Sequence, residues 1–159
     1  MKNTIILASD HAGFELKGAI KAFLEGKGYQ TLDVGAHTYN EQDDYPEFMA
    51  AAAMKVASDM SGETKAVILG GSGEGEAIVA NRFPGVRAVV YYGGTTANGH
   101  SADDIIKLSR QHNNANVLSL GARFMDAEIA CDAVELWLNT PFSDEERHKR
   151  RIQEIDNLE

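Results

Sequence analysis

The sequence predicts an α/β fold in which helices cover both faces of a five-stranded parallel sheet, forming a three-layer αβα sandwich. Short runs rich in β-forming residues recur along the chain, and several are apolar almost throughout, as suits strands covered on both faces. Helical patterns separate these runs. Alternating strands and helices imply right-handed βαβ units around an open parallel sheet of Rossmann-like type. We expect a single domain spanning residues 1–159.

The expected strands share β-rich composition and short length: Thr4 to Ser9, Gln30 to Val34, Ala66 to Leu69, Arg87 to Tyr91 and Asn116 to Leu120. Helices are expected where apolar or alanine-rich residues recur at helical spacing: Phe14 to Leu24, Tyr45 to Met60, Ala77 to Asn81, Asp126 to Asn139 and Ser143 to Leu158. Ser143 and Glu146 have the spacing of a capping box at the start of this C-terminal helix.

Charge and cysteine content exclude several classes of protein. A net charge of −9 argues against nucleic-acid binding, because a polyanion would be repelled. No run is long enough to span a bilayer, so no membrane partner is expected. Cys131 is the only cysteine, which rules out an intrachain disulfide and a cysteine-rich zinc site. A reducing, cytoplasmic setting and a small partner are therefore expected.

Four basic residues crowd the C-terminal stretch of this acidic chain: Arg147, Lys149, Arg150 and Arg151. They are a candidate site for an anion. A solvated helix face is the alternative, and the charge run alone favours it.

In an open parallel sheet, ligands bind outside the carboxyl ends of the strands, where loops lead into helix N-termini. Three such loops carry chemically useful residues. Asp10, His11 and Gly13 follow the first strand, Gly70 to Glu76 follows the third, and Gly121 to Arg123 follows the fifth.

The second of these loops holds four glycines between Gly70 and Gly75. Such a loop lets backbone N–H groups converge on an anion, with the helix dipole assisting. Its spacing fits neither the dinucleotide fingerprint nor the Walker loop, which needs a lysine. Two readings stay open: a tight structural turn, or a site in which Glu76 is a base and Ser72 and the N–H groups stabilise an oxyanion. In the structural reading, Glu76 complements the helix dipole, worth about 0.3–1 kcal/mol.

Several motifs together resemble the type B ribose-5-phosphate isomerase family, which also includes galactose-6-phosphate isomerase subunits. They occur in the family's order along nearly the whole chain: Ser9 to Gly13, Asp44 to Pro46, Gly70 to Asn81, Arg110 to Asn114 and Arg147 to Arg151. The family has two versions of the catalytic base, a cysteine before the glycine loop or a glutamate at its end. Gly70 stands at the cysteine position, so the resemblance is to the glutamate version, with Glu76 as base.

The resemblance implies aldose–ketose isomerisation through a cis-enediolate, without a cofactor or metal. Glu76 would move the proton, and Ser72 with the backbone of Gly71, Gly73, Glu74 and Gly75 would stabilise the oxyanion. His112 and Asp10 would open the sugar ring. The remaining substrate-binding positions implied by the family are Asn113 for the sugar hydroxyls, and His11, Arg123, Arg147 and Arg151 for the phosphate.

In the family the site lies between subunits, which implies a homodimer or a tetramer with shared sites. The segment from Gly93 to Asp104, expected as a loop, looks longer than the family usually has and directly precedes the His112 motif. Hexose 6-phosphates and tetrose 4-phosphates therefore stay open as substrates beside ribose 5-phosphate. A noncatalytic sugar-phosphate-binding module is the alternative from another class, but it would not need Glu76, Asp10 and His112 together.

Overall fold

The computed structural model describes residues 4–94 and 96–158. The strands are β1 Thr4–Ser9, β2 Gln30–Asp33, β3 Lys65–Gly70, β4 Ala88–Tyr91 and β5 Val117–Gly121. The helices are α1 Phe14–Gly26, α2 Tyr45–Ala57, α3 Glu74–Ala80, α4 Ala102–Gln111, α5 Ala127–Asn139 and α6 Glu146–Asp156. Short 3₁₀ turns at His11–Gly13 and Ala122–Phe124 follow the first and last strands.

The strands pair in parallel in the order β2-β1-β3-β5-β4. The chain runs from β1 to β2 on one side of β1 and then crosses over β1 to β3 on its other side, so the topological switch lies between β1 and β3. This confirms the predicted α/β fold with a five-stranded parallel sheet. Each predicted strand end agrees with the structure to within about one residue.

Two apolar layers hold the helices against the sheet. On one face α1, α4 and α5 pack around Leu7, Leu69, Leu118 and the fully buried Trp137. On the other face α2 and α3 pack against Ile6, Ile68 and their neighbours, with Met49 as the largest buried side chain of α2. Alternate residues of β1 and β3 thus enter opposite layers, as the nearly continuous apolar runs of buried parallel strands require.

Helix α4 was not predicted from the sequence, and its first three residues fall in the segment from Gly93 to Asp104 that was expected as a loop. Ser101 and Asp104 form a capping box at its N-terminus, so residues 102–104 are helical. Ile106 faces the core while Ile105 is exposed, as on an amphipathic surface helix. The glycine-, threonine- and asparagine-rich composition just before Ser101 concealed this start.

Two other predicted helix ends were wrong. The expected start of α6 at Ser143 is displaced to Glu146, because the Ser143 N–H donates to the Gln111 carbonyl 3.1 Å away instead of opening a helix. Helix α2 ends at Ala57 rather than Met60, since the Asp59 carboxylate accepts hydrogen bonds from Ser61 and Thr64 and turns the chain. The glycine-rich loop also enters its helix earlier than expected, at Glu74.

Within residues 4–94 and 96–158, no helix combines the length and the apolarity needed to cross a bilayer. Helix α6 is unusual in how little of it is covered: His148 is its only buried residue among those described.

Candidate active site

The three loops singled out from the sequence meet at the carboxyl edge of the sheet. Register places Ser9 beside Leu69, and Gly70 beside Gly121, so the residues that follow β1, β3 and β5 are neighbours. The Arg123 N–H donates to the carbonyl of Gly71 at 3.1 Å, which ties the loop after β5 to the glycine-rich loop. This edge is where open α/β sheets bind ligands.

Glu76 lies in the first turn of α3 and is only 4% exposed. Its carboxylate occupies the space above Gly70, where a Cβ would overlap the carboxylate and lie 2.8 Å from Glu76 Cγ. Burial raises the pKa of Glu76 above its ordinary value, and the Asp10 carboxylate adds to this. Backbone N–H groups and Arg123 oppose the rise. A buried carboxylate with a raised pKa is suited to accept and return a proton near neutral pH.

The glycine-rich loop is held in a conformation that side chains would disturb. Gly73 caps α3 with φ of 81°, in the left-handed region, and its carbonyl accepts a 2.7 Å hydrogen bond from Ser119 Oγ. The Ser72 hydroxyl accepts a hydrogen bond from the N–H of Glu74 at 3.3 Å. A Cβ at Gly75 would lie 2.6 Å from the Tyr45 hydroxyl, so this tyrosine packs directly on the loop.

The two glutamates of the loop have different surroundings. Glu74 is exposed and lines a cavity of about 260 Å³ with Tyr92, Gly93 and Ile105. Glu76 is buried beneath the loop instead. Only Glu76 therefore has the desolvated setting of a general base.

Asp10 and His11 follow β1 as predicted, but both have partners that the sequence did not reveal. Asp10 caps the 3₁₀ turn by accepting from the N–H groups of Ala12 at 3.0 Å and Gly13 at 3.2 Å. The His11 ring contacts Asp43, with 2.6 Å between Nδ1 and Oδ1. This hydrogen bond is the main reason that the pKa of His11 is raised, and the charges of the nearby carboxylates add to the rise. Burial and the Arg123 charge oppose it.

Asp43 was missed by the sequence reading. The only available signal was its place immediately before the Asp44-Tyr45-Pro46 motif. It lies 32 residues from His11, in the loop between β2 and α2, and only the folded chain brings the two together.

Asp10, His11 and Asp43 each offer one potential metal-ligand atom, all within 4.8 Å of one another, and among the described residues they form the one such group. The short His11–Asp43 hydrogen bond accounts for this proximity through a histidine–carboxylate pair. Arg123, whose charge acts on His11, brings a further positive group to the same place.

Arg123 lies over the glycine-rich loop: a Cβ at Gly71 would be 3.0 Å from its Cζ. Its side chain is exposed, and its positive charge acts to lower the pKa of both His11 and Glu76. Asp10, His11, Ser72, Glu76 and Arg123, with the glycine-rich loop, thus form one group, termed here the loop cluster.

The other predicted residues, His112, Asn113, Arg147 and Arg151, form a second group together with His148, which was not predicted; this group is termed the histidine cluster. His112 is the cap residue directly after α4, and its ring stacks on His148 of α6 with centroids 4.2 Å apart. His148 is buried and its Nε2 is without a hydrogen-bond partner, while burial and His112 lower the pKa of His148. Its stacking role was also missed by the sequence reading.

The basic side chains of the histidine cluster are solvent-exposed. Arg147 is exposed and pairs with Glu145 at 2.8 Å, and Arg151 is exposed as well. Asn113 is also exposed, and its carbonyl accepts from Arg87. Across the described part of the chain, no hydrogen bond, ion pair or ring contact joins the histidine cluster to the loop cluster. Contacts within the described residues of one chain therefore define two groups of predicted site residues that do not touch directly.

Lys149 and Arg150, for which the resemblance implied no role, pair with acidic neighbours on α6. Lys149 Nζ lies 2.6 Å from Glu146, and Arg150 lies 3.8 Å from Glu154. These contacts are typical of a solvated helix face.

Several known proteins with similar sequences are named ribose-5-phosphate isomerase B. Residues 5–155 match the family model described as Ribose/Galactose Isomerase. Ribose-5-phosphate isomerase B of Mycolicibacterium paratuberculosis is 41% identical over 98% of this chain and 91% of that protein. The Escherichia coli protein of the same name is 36% identical over 98% of this chain and 95% of its own.

Solved structures agree. Ribose-5-phosphate isomerase B from Mycoplasma genitalium with bound ribulose-5-phosphate superposes with a TM-score of 0.87 at 33% identity, covering 98% of this chain and 95% of that one. The Thermotoga maritima ribose 5-phosphate isomerase gives a TM-score of 0.85 at 38% identity, covering 98% of both chains. These matches and the family model confirm the resemblance of the motifs: the chain belongs to the ribose/galactose isomerase family.

Proposed function

We propose that this protein is an aldose–ketose isomerase that interconverts ribose 5-phosphate and ribulose 5-phosphate. The observation that carries the proposal is the buried Glu76 carboxylate beneath a glycine-rich loop at the carboxyl edge of the sheet. The names of the relatives and the ribulose-5-phosphate bound to the Mycoplasma genitalium protein support the choice of substrate.

In the direction from ribose 5-phosphate, the reaction moves one proton from C2 to C1 and a second proton from the O2 hydroxyl to O1 of the enediolate. Glu76 removes the C2 proton and returns it to C1, and the intermediate cis-enediolate carries negative charge on oxygen. Ser72 and the N–H groups of the glycine-rich loop lie beside Glu76 and stabilise that charge. The raised pKa of Glu76 lowers the cost of holding the proton between the two steps.

The sugar ring must open before the proton transfer. We assign ring opening to His112 and Asp10, because an imidazole can give and take a proton at neutral pH. Asn113 binds sugar hydroxyls. The phosphate is bound by His11 and by three arginines, Arg123, Arg147 and Arg151. The guanidinium groups of the arginines suit paired hydrogen bonds to phosphate oxygens.

A complete site requires two subunits under this proposal. The loop cluster and the histidine cluster are separate within one chain, so His112, Asn113, Arg147 and Arg151 of one subunit would complete the loop cluster of the next. The exposure of Arg147 and Arg151 on the largely uncovered α6 supports this arrangement. A homodimer with two shared sites is the smallest assembly that satisfies it, and two such dimers would give a tetramer.

The test is the matched pair Glu76→Gln and Glu74→Gln, measured with chelator present. Glu76→Gln keeps the shape of the side chain but cannot accept a proton, so kcat should fall by roughly 10²–10⁴-fold while substrate still binds. Glu74→Gln should be nearly neutral, since Glu74 lies in a different cavity. Near-native kcat in folded Glu76→Gln would overturn the mechanism.

A panel of pentose, hexose and tetrose phosphates assigns the sugar. The highest kcat/KM should belong to ribose 5-phosphate and ribulose 5-phosphate. A higher value for a hexose 6-phosphate or a tetrose 4-phosphate would overturn that choice of substrate but leave the isomerase chemistry in place. Binding of sugar phosphates without turnover would instead indicate a noncatalytic module.

A further inference from the structure

Asp43 binds His11 at two points. Its Oδ1 accepts a hydrogen bond from the His11 backbone N–H at 3.1 Å and lies 2.6 Å from His11 Nδ1. One carboxylate oxygen therefore fixes both the main chain and the ring of the same residue. Such double contact restricts the ring to one orientation at the end of β1.

The chemistry of the pair also fixes the position of the ring proton. A carboxylate can only accept, so Nδ1 must carry the hydrogen in this hydrogen bond. Nε2 is left as the one ring nitrogen available to a ligand. In the neutral ring, Nε2 is an acceptor and would face phosphate oxygens, which are also acceptors. In the protonated ring, Nε2 is a charged donor.

Asp43 is placed to favour the protonated ring. Its side chain is only 7% exposed, and its Oδ2 is buried without a hydrogen-bond partner. A buried carboxylate with one unsatisfied oxygen is stabilised most by a positive charge beside it. The other groups around His11 are Asp10, with Oδ2 4.0 Å from Nδ1, the Arg123 charge and the edge of the Tyr39 ring.

We propose that Asp43 is a positioning residue for the substrate phosphate, holding His11 as an Nδ1–H ring whose Nε2 donates to a phosphoryl oxygen. This rests on the proposed function for the identity of the substrate, and it adds a residue that the sequence motifs did not single out. Asp43 acts through His11 and does not itself contact the phosphate, because its carboxylate and the phosphate are both negatively charged and would repel each other.

The role has a defined dependence on pH. The Asp43 hydrogen bond raises the pKa of His11, so the imidazolium survives to higher pH than it would alone. Phosphate affinity should be highest below the raised pKa and fall as the pH rises through it. Without the carboxylate, the same loss should occur at lower pH.

The deciding variant is Asp43→Asn, which keeps an acceptor oxygen but removes the charge. Glu41→Gln is the matched control, because it removes one exposed carboxylate from the same loop. In both variants the His11 ring should be titrated by ¹⁵N NMR, its signal assigned through His11→Asn. Inorganic phosphate binding should be measured by calorimetry from pH 6 to 8, and kcat and KM in parallel.

Asp43→Asn should lower the pKa of His11, weaken inorganic phosphate binding and raise KM by roughly tenfold, with the larger loss at the higher pH, while kcat changes little. Glu41→Gln should change none of these. An unaltered His11 titration and phosphate affinity in Asp43→Asn, or equal effects in Glu41→Gln, would overturn the inference. So would a loss confined to kcat.

These outcomes are separable from a failure of the proposed function. Ring titration and inorganic phosphate binding need no turnover, so they test Asp43 even if ribose 5-phosphate is not the substrate. Conversely, if the enzyme is active and Asp43→Asn does not change its phosphate affinity, the proposed isomerase function is retained but Asp43 has no part in phosphate binding.

Discussion

The Glu76 carboxylate lies in the space that a side chain at position 70 would occupy. Gly70 ends β3, and a Cβ there would overlap the carboxylate while meeting no backbone atom as closely. The absence of a side chain at Gly70 therefore leaves room for the buried carboxylate of Glu76. This explains in steric terms why a glycine stands where the cysteine version of the family has its base.

We expect Gly70→Ala to lower kcat by an amount comparable to Glu76→Gln, roughly 10²–10⁴-fold. The added methyl group displaces the carboxylate, which is the end of a flexible side chain, so the fold should persist. Kinetics with a circular-dichroism check on folding measure both. Gly18→Ala is the control: a Cβ there meets nothing within 4 Å, and a change at this exposed position of α1 should leave kcat intact.

The double variant Gly70→Ala/Glu76→Gln sharpens this test. If the methyl group acts only by moving the carboxylate, adding it to Glu76→Gln should cost little further activity. Additive losses would show that Gly70 affects catalysis by another route, and the steric account would be wrong.

The acid limb of the pH profile should lie above the range of an ordinary glutamate. Burial, with help from Asp10, raises the pKa of Glu76 above 4.5, so the base is lost to protonation at a correspondingly higher pH as the solution is acidified. The measurement is kcat/KM against pH with a good substrate. An acid limb at or below 4.5 would contradict a desolvated glutamate base.

Under the proposed shared site, mixing two inactive variants of the protein should restore part of the activity. Glu76→Gln disables the loop cluster and His112→Ala the histidine cluster, so a heterodimer contains one site with both mutations and one with neither. Subunit exchange followed by assay, with heterodimer formation verified by mass spectrometry, measures the recovery. Verified exchange without recovered activity would place both clusters' functions within a single subunit.

Most of the fold could be predicted because buried parallel strands appear in the sequence as nearly continuous apolar runs. The apolar runs around Leu7, Ile68 and Leu118 fit no other role in a chain of alternating elements, and the structure places them at the centre of the sheet. Helix α4 was not predicted because most of its residues are polar and only one narrow face of the helix is buried. The start of α6 was misplaced because the Ser143 N–H donates to the carbonyl of Gln111, the last residue of α4, rather than taking part in its own helix.

The local parts of the site could also be predicted, and the distant ones could not. Glu76, Ser72 and the glycines are close in sequence, and Asp10 and His11 follow a strand end. The His11–Asp43 pair and the His112–His148 stack join residues 32 and 36 positions apart, and nothing in residue spacing encodes such contacts. That the two clusters meet across a subunit interface is expected only from the resemblance to the family, and it stays a prediction.

The shared volume at positions 70 and 76 also constrains how such proteins change over generations. A mutation that puts a cysteine at position 70 while Glu76 remains would displace one base before the other is positioned to act. A mutation that removes Glu76 first would leave no base at all. Under the proposed mechanism, either order of change would pass through an impaired enzyme, so we expect positions 70 and 76 to change together when one version of the site replaces the other.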